Sequence, residues 1–447
     1  LEWTECGGGF ECADLEVPLD HDDPDGPTIT IAINRNVADD PAQRVGVLLV
    51  NPGGPGASGI ELARQFPRGG ELGDRFDLVG FDPRGVGDST PLDCRTHLQA
   101  MYDADPSIDE PADADELLAT SEAFVAECEE RHGDVLAHLS TTDVARDMDA
   151  IRRALGEEQI NYLGYSYGTS IGQEYLRLFP EQARAFVLDG LVDHEPDGIE
   201  TATTQAIGFE RALDAYVADC DADDCGFGVP ARQAIDEVLA AAEAEPIPAP
   251  GADRPATPGV VALAFARALY AELLWGSLSS ALRDARDGDG TGLVELADEY
   301  LGRDGDEYAG GFEAYFAVNC LDEAWPDEPE DFFDAARDAA EVAPIFGEAI
   351  VNDYVRCALW PVEPVPLEPV PADLEGLGPV LIVSTTNDPA TPHENGIAVA
   401  EQIPGAVLLT YEGEGHTIAL QGQQCIDDAV LAYLTELTTP PEGTVCR

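Results

Sequence analysis

The chain has 447 residues, 88 acidic against 23 basic side chains, and a formal net charge of -65 at pH 7. That length exceeds one minimal core and fits one large domain with an insertion, or two domains. Such a charge repels nucleic-acid phosphates and anionic lipid heads, and no apolar run reaches the roughly 18 to 20 residues that span a bilayer, so neither nucleic acid nor a membrane span is expected.

No lysine occurs; every Lys/Arg position is arginine. Of the readings of the acidity, a solvation device for a salt-tolerant or halophilic setting is favoured over a partial imprint of genome composition, in which Arg, Ala, Gly, Asp and Glu dominate together; disorder, the third, is opposed by the regular apolar periodicity. On the first reading stability rises with added salt, because ions screen repulsion among surface carboxylates. A melting temperature that is flat or falls between low and molar NaCl would count against it.

In chain order, the opening LEWTECGGGFECADLEVPLD has neither the basic start nor the apolar middle of a signal peptide and reads as the start of a mature form. TITIAINRNVA, from Thr28, alternates as a strand does. VGVLLVNPGGPG, from Val45, is a buried strand entering a glycine-rich loop, and RFDLVGFDPRGVGDS, from Arg75, repeats the form. TTDVARDMDAIRRALG reads as a helix with Thr141 or Thr142 near its N-cap and Gly156 past its end. INYL, from Ile160, is the next strand; ARAFVLDG, from Ala183, is a further one. This alternation implies a mainly parallel sheet flanked by helices. From about residue 196 to 370 the texture is helical and alanine-rich, ending in the proline-rich WPVEPVPLEPVPADLEG; strands resume with PVLIVSTTNDPATP and AVLLTYEGEGH. The expected division is 1–195 as the first part of a core, 196–370 as a helical lid insertion and 371–447 as the second part of the core.

Ten cysteines fall in local couples: Cys6 with Cys12, Cys94 with Cys128, Cys220 with Cys225, Cys320 with Cys357, Cys425 with Cys446. No CxxC or nearby histidine gives them metal spacing, so no metal or cofactor is expected. Disulfides in an extracytoplasmic protein are the reading, with free buried thiols as the alternative and connectivity open.

GYSYG, centred on Ser166, fits G-x-S-x-G. The pattern alone is weak, but a strand precedes it and a helix follows, which is the setting of a nucleophile elbow. Such elbows take their partners in the order serine, acid, histidine. Of seven histidines, His21, His97, His132 and His138 precede the serine, and His194 leaves no room for an intervening acid. His393 follows Asp388 too closely to face it, and a surface loop is its expected home. His416, at the end of a strand in a glycine-rich loop, is the expected base. Asp388, ending VLIVSTTND, is the expected acid, holding the imidazole tautomer; an Asp-Pro turn is the plainer alternative. Two backbone N–H groups should receive the oxyanion, from Tyr167 and, in NPGGPG, from Gly54. A phosphate-loop reading of NPGGPG fails for want of a lysine.

NPGGPGASG, DLVGFDPRGVGDS, INYLGYSYGTSIG, YLRLFPEQARAFVLDGLVD, NDPATP and GHTI together resemble the secreted tripeptidyl aminopeptidase branch of the α/β-hydrolases, related to the proline iminopeptidases. The opening WTECGGGFECADLEVPLD and the tail CIDDAVLAYLTELTTPPEGTVC are similar to that branch's ends. The resemblance implies an α/β-hydrolase fold with a lid and a serine exopeptidase releasing short peptides or residues from free N-termini. Its expected partner is thus a peptide with a free N-terminus. A carboxylesterase using the same triad is the alternative, and a non-catalytic binding protein on this fold a third reading. An epoxide hydrolase or dehalogenase is disfavoured, since those place aspartate at the elbow. Related iminopeptidases bind the substrate amine with lid carboxylates. Asp322 and Glu323, fixed beside Cys320 if that cysteine is bridged, are the candidates here, against the plain alternative of acidic surface.

Overall fold

The computed structural model describes residues 1–67, 69–108, 111–305 and 307–447. The strands in chain order are β1 (Thr4–Glu5), β2 (Glu11–Pro18), β3 (Thr28–Asn36), β4 (Gly46–Asn51), β5 (Phe76–Phe81), β6 (Ile160–Tyr165), β7 (Ala183–Asp189), β8 (Arg303–Asp304), β9 (Glu307–Tyr308), β10 (Leu381–Asn387), β11 (Val407–Glu414) and β12 (Val445–Cys446). One sheet runs β1-β2-β3-β5-β4-β6-β7-β10-β11-β12, and β8 and β9 form a separate small hairpin. The first three pairings, up to β3–β5, are antiparallel; all those from β5 to β12 are parallel.

Parallel strands are covered on both faces, and β4, β5 and β6 are accordingly buried throughout. Their alternate residues feed two cores. Leu48, Val50, Leu163, Val187, Leu381 and Val383 pack on one face; Val47, Leu49, Tyr162, Phe186, Leu188 and Ile382 pack on the other. The chain adds β5 on one side of β4 and β6 on the other. The loops leaving β4 and β6 therefore diverge, opening a crevice at the carboxyl edge where such sheets bind ligands.

Two helix boundaries are instructive. The helix Thr141–Leu155 is capped by Ser140, whose hydroxyl accepts the Asp143 N–H, one residue before the threonines that the sequence pattern favours. Thr141 is instead turned inward, its hydroxyl 2.5 Å from that of Tyr167. At the other end Gly156 takes the left-handed conformation (φ 78°), where a Cβ is disfavoured. The helices Leu98–Asp103 and Pro111–His132 lie where the sequence pattern gave no element.

Between β7 and β10 the chain is helical, from Gly198–Asp223 through Gly347–Asp353, apart from the β8–β9 hairpin. These helices have a core of their own around Phe209, Leu213, Phe265, Leu278 and Leu293. The proline-rich stretch runs back along the end of helix Phe312–Asp322, where Val365 N–H and Leu367 N–H bond the carbonyls of Leu321 and Asp322 at 2.7 and 2.9 Å. The cysteines lie in five disulfides, Cys6–Cys12, Cys94–Cys128, Cys220–Cys225, Cys320–Cys357 and Cys425–Cys446. The fourth ties helix Phe312–Asp322 to the turn Tyr354–Leu359. Among the described residues no helix is long and apolar enough to cross a membrane.

Candidate active site

Ser166 stands between β6 and the helix Gly168–Leu178 with φ 54°, a left-handed conformation that costs a non-glycine residue about 1 to 3 kcal/mol. Its N–H bonds the Asp189 carbonyl at 2.9 Å, and its carbonyl receives the Thr169 N–H at 2.7 Å. The flanking glycines have steric reasons. A Cβ on Gly164 would clash with the Gly168 carbonyl, and one on Gly168 would lie 2.9 Å from the Asn51 carbonyl oxygen. The turn is thereby packed directly against the loop that leaves β4.

In that loop Gly53 (φ 90°) sits so close to the elbow that a Cβ there would be 2.9 Å from both the Ser166 Cβ and the Tyr167 nitrogen. Gly54, next in the chain, lines the same cavity as Ser166 and Tyr167. The two backbone groups expected to receive an oxyanion thus border one space with the serine.

Asp388 directly follows β10 and is 2% exposed. Its carboxylate accepts the N–H groups of Ala390 and Thr391, both at 2.9 Å, and the Thr391 hydroxyl at 3.1 Å. Both of its oxygens are 2.9 Å from Nδ1 of His416. Turn formation and imidazole binding are therefore combined in one carboxylate. His416 follows β11; its N–H bonds the Tyr270 carbonyl at 2.9 Å, and the Tyr270 ring meets the imidazole edge-on at 5.2 Å. Burial alone would lower the His416 pKa, but the charge and hydrogen bond of Asp388 outweigh it, and the pKa ends above the ordinary value.

One residue that sequence reasoning missed joins these parts. Asp189, fully buried at the end of β7, holds the Ser166 N–H with its carbonyl and the Ile418 and Ala419 N–H groups, both at 2.6 Å, with its carboxylate. The next residue, Gly190, leaves no room for a Cβ: one would lie 3.2 Å from Cε1 of His416. Ser166 and His416 thus flank a single corner of the sheet. The signal was present in FVLDG, where a carboxylate ends the apolar run 185–188 beside glycine.

Two cavities meet at Ser166. One, of about 80 Å³, runs from Ser166 and Tyr167 to Asn319, Asp322, Glu323 and Trp325. The other, of about 440 Å³, passes along Gly54–Ala57 to Tyr270 and Tyr300. Asp322 and Glu323 both border the first, but in different states. The Asp322 carboxylate, 4% exposed, accepts the Thr141 N–H at 3.1 and 3.2 Å and so caps helix Thr141–Leu155. Glu323 is half-buried and has no hydrogen bond or ion pair among the described residues. Burial pushes Asp322 up to about 7; burial, then the charges of Asp322, Asp197 and Asp193, push Glu323 up to about 8.

These shifts carry a stability prediction. Asp189, likewise pushed up by burial to about 7, joins Asp322 and Glu323 as groups that hold protons longer in the folded chain than at their ordinary values of 3.8 and 4.5. Their contribution is complete below about pH 4 and is lost as pH rises through 7 to 8. His194, buried and lowered from 6.5 to about 4, acts in the opposite sense, but its effect is complete near pH 6.5. The melting temperature should therefore fall between pH 6.5 and 8.5, and Glu323→Gln should flatten the slope. A flat or rising wild-type curve over that interval would contradict the assignment.

A family model described as alpha/beta hydrolase fold matches residues 46–423. The chain belongs to that family. It is 38% identical to serine protease Hip1 of Mycobacterium tuberculosis, over all of this chain and 91% of the relative. It is 40% identical to carboxylesterase B of the same species, over 97% of this chain and 86% of the relative. Tripeptidyl aminopeptidase of Streptomyces lividans is 30% identical, over all of this chain and 86% of its own. With these relatives the protein is a serine hydrolase of a branch that contains peptidases.

Proposed function

We propose that the protein is an extracellular serine aminopeptidase that cleaves short peptides or residues from free N-termini. The observation that carries the reading is the unpaired Glu323 carboxylate in the same cavity as Ser166, ready to receive a substrate ammonium group. The five disulfides support an oxidising location. In this mechanism Ser166 Oγ attacks the scissile carbonyl carbon while His416 Nε2 takes its proton. Asp388 holds the Nδ1–H and stabilises the imidazolium. The N–H groups of Tyr167 and Gly54 receive the oxyanion, each worth about 3 kcal/mol of transition-state stabilisation. His416 then protonates the leaving amine, and water, activated by the same imidazole, releases the acyl group from Ser166.

The second reading is a carboxylesterase, favoured by the 40% identical relative of that name. A panel of peptide amides with free and blocked N-termini, run beside simple acyl esters, separates the two. The aminopeptidase reading expects rapid cleavage of N-free amides and little of N-blocked ones. Ester cleavage without amide cleavage would replace it with the second reading. Failure of a fluorophosphonate to label Ser166 would remove both.

A further inference from the structure

Behind the first cavity lies a chamber of about 110 Å³ bordered by the helices between β7 and β10 and by helix Leu98–Asp103. Its walls are mainly aromatic and aliphatic, with Tyr102, Phe209, Leu263, Phe312 and Ile350 among them. Gln205, Tyr315 and Tyr354 line both the chamber and the cavity that holds Ser166 and Glu323; Tyr300 and Phe312 line both the chamber and the second Ser166 cavity. The chamber thus shares walls with both cavities that reach Ser166.

Two features distinguish it from loose packing. Protein interiors leave few voids larger than a water molecule, and an apolar cavity of about 150 Å³ takes up benzene, so a space near that size can hold a small apolar group. The Tyr102 hydroxyl, on a residue 6% exposed, is buried without a hydrogen-bond partner, a state that packed cores rarely leave. The charged groups at the wall do not make it an ion site. Arg356, 1% exposed, is bound to its neighbour Asp353 and lies over the Phe316 ring, 4.6 Å from the centroid. Ala262 and Ala266, one helical turn apart on helix Pro258–Leu269, present only methyl groups to the space and are half-buried.

We propose that this chamber is a specificity pocket that receives a bulky apolar group, aromatic or branched aliphatic, carried by the acyl part of the substrate. The inference rests on the reading of Ser166 as nucleophile. A small acyl group leaves the chamber unfilled and forgoes the apolar burial, so selectivity for bulky over small acyl groups is the direct consequence.

The test uses nitrophenyl esters of 4-phenylbutyrate and acetate, which have no amine and so bypass Glu323. The wild-type chain is expected to prefer the phenylbutyryl ester in kcat/KM. Ala266→Phe, which fills the chamber from its wall, should lower the ratio of the two kcat/KM values by about tenfold or more. Ala262→Phe is the companion variant should the first melt early. Binding of 4-phenylbutanol by calorimetry gives a readout without chemistry, and it should be weakened by the same substitutions. If neither ester reacts while 4-phenylbutanol binds and Ala266→Phe weakens that binding, the hydrolase reading falls and the pocket stands. No preference for the bulky ester, an unchanged ratio in both filled variants, or 4-phenylbutanol binding that is absent or insensitive to them would overturn the pocket.

Discussion

Ser166→Ala should lower peptide turnover by about 10⁴-fold or more while leaving the melting curve in place. The fold should survive because the left-handed backbone at Ser166 is held by main-chain bonds, to Asp189 and from Thr169, that alanine keeps. His416→Ala should be comparably severe, since it removes the group that takes and returns the proton. Asp388→Asn is subtler. The carboxylate serves Nδ1 of His416 and the N–H groups of Ala390 and Thr391 together. An amide has one accepting oxygen, and if the backbone groups claim it, its NH₂ faces Nδ1 and favours the wrong tautomer. A loss approaching 10⁴-fold is then expected, with the turn intact. Retention of more than a few per cent of activity in Ser166→Ala would sink the nucleophile assignment.

The parts of the site written in local pattern were legible in the sequence. Ser166, Asp388 and His416 each stand just past a strand, so strand ends and chain order were enough to single them out as candidates. What depended on distant partners was not legible. Asp322 and Glu323 are adjacent in sequence and indistinguishable by type, yet one is occupied by a backbone N–H 181 residues away and the other is not. His393, expected in a surface loop, opens the helix His393–Gln402 with Nδ1 2.8 Å from the Ser384 hydroxyl. The helix Pro111–His132 escaped because its buried stripe, Leu117, Ser121, Phe124, Val125 and Cys128, contains a serine and is surrounded by carboxylates that blur the period. Strand β3 was read from its alternation, but β1, β2 and the antiparallel pairing of this edge were not: β2 carries acidic residues on its exposed side, and β3 pairs with β5 only through the fold.

Glu323→Gln should cut kcat/KM on N-free peptides by about 10²-fold and leave a neutral ester nearly unaffected. The glutamine keeps the shape and loses the charge, and a charge-assisted bond to an ammonium group in a half-buried site is worth several kcal/mol when broken on one side. Asp322→Asn should do less, because its amide oxygen can still accept the Thr141 N–H. A pH signature separates binding from fold. With its carboxyl pushed up to about 8, Glu323 is largely protonated near pH 6 in the empty site, and its ability to hold an ammonium grows as it ionises. His416 controls both substrates alike, so the ratio of kcat/KM for an N-free peptide to that for the ester removes its contribution. In the wild type that ratio should climb between pH 6 and 8; in Glu323→Gln it should be flat. Equal losses on peptide and ester, or a ratio that climbs in the variant as in the wild type, would place the amine anchor elsewhere in the helical segment between β7 and β10.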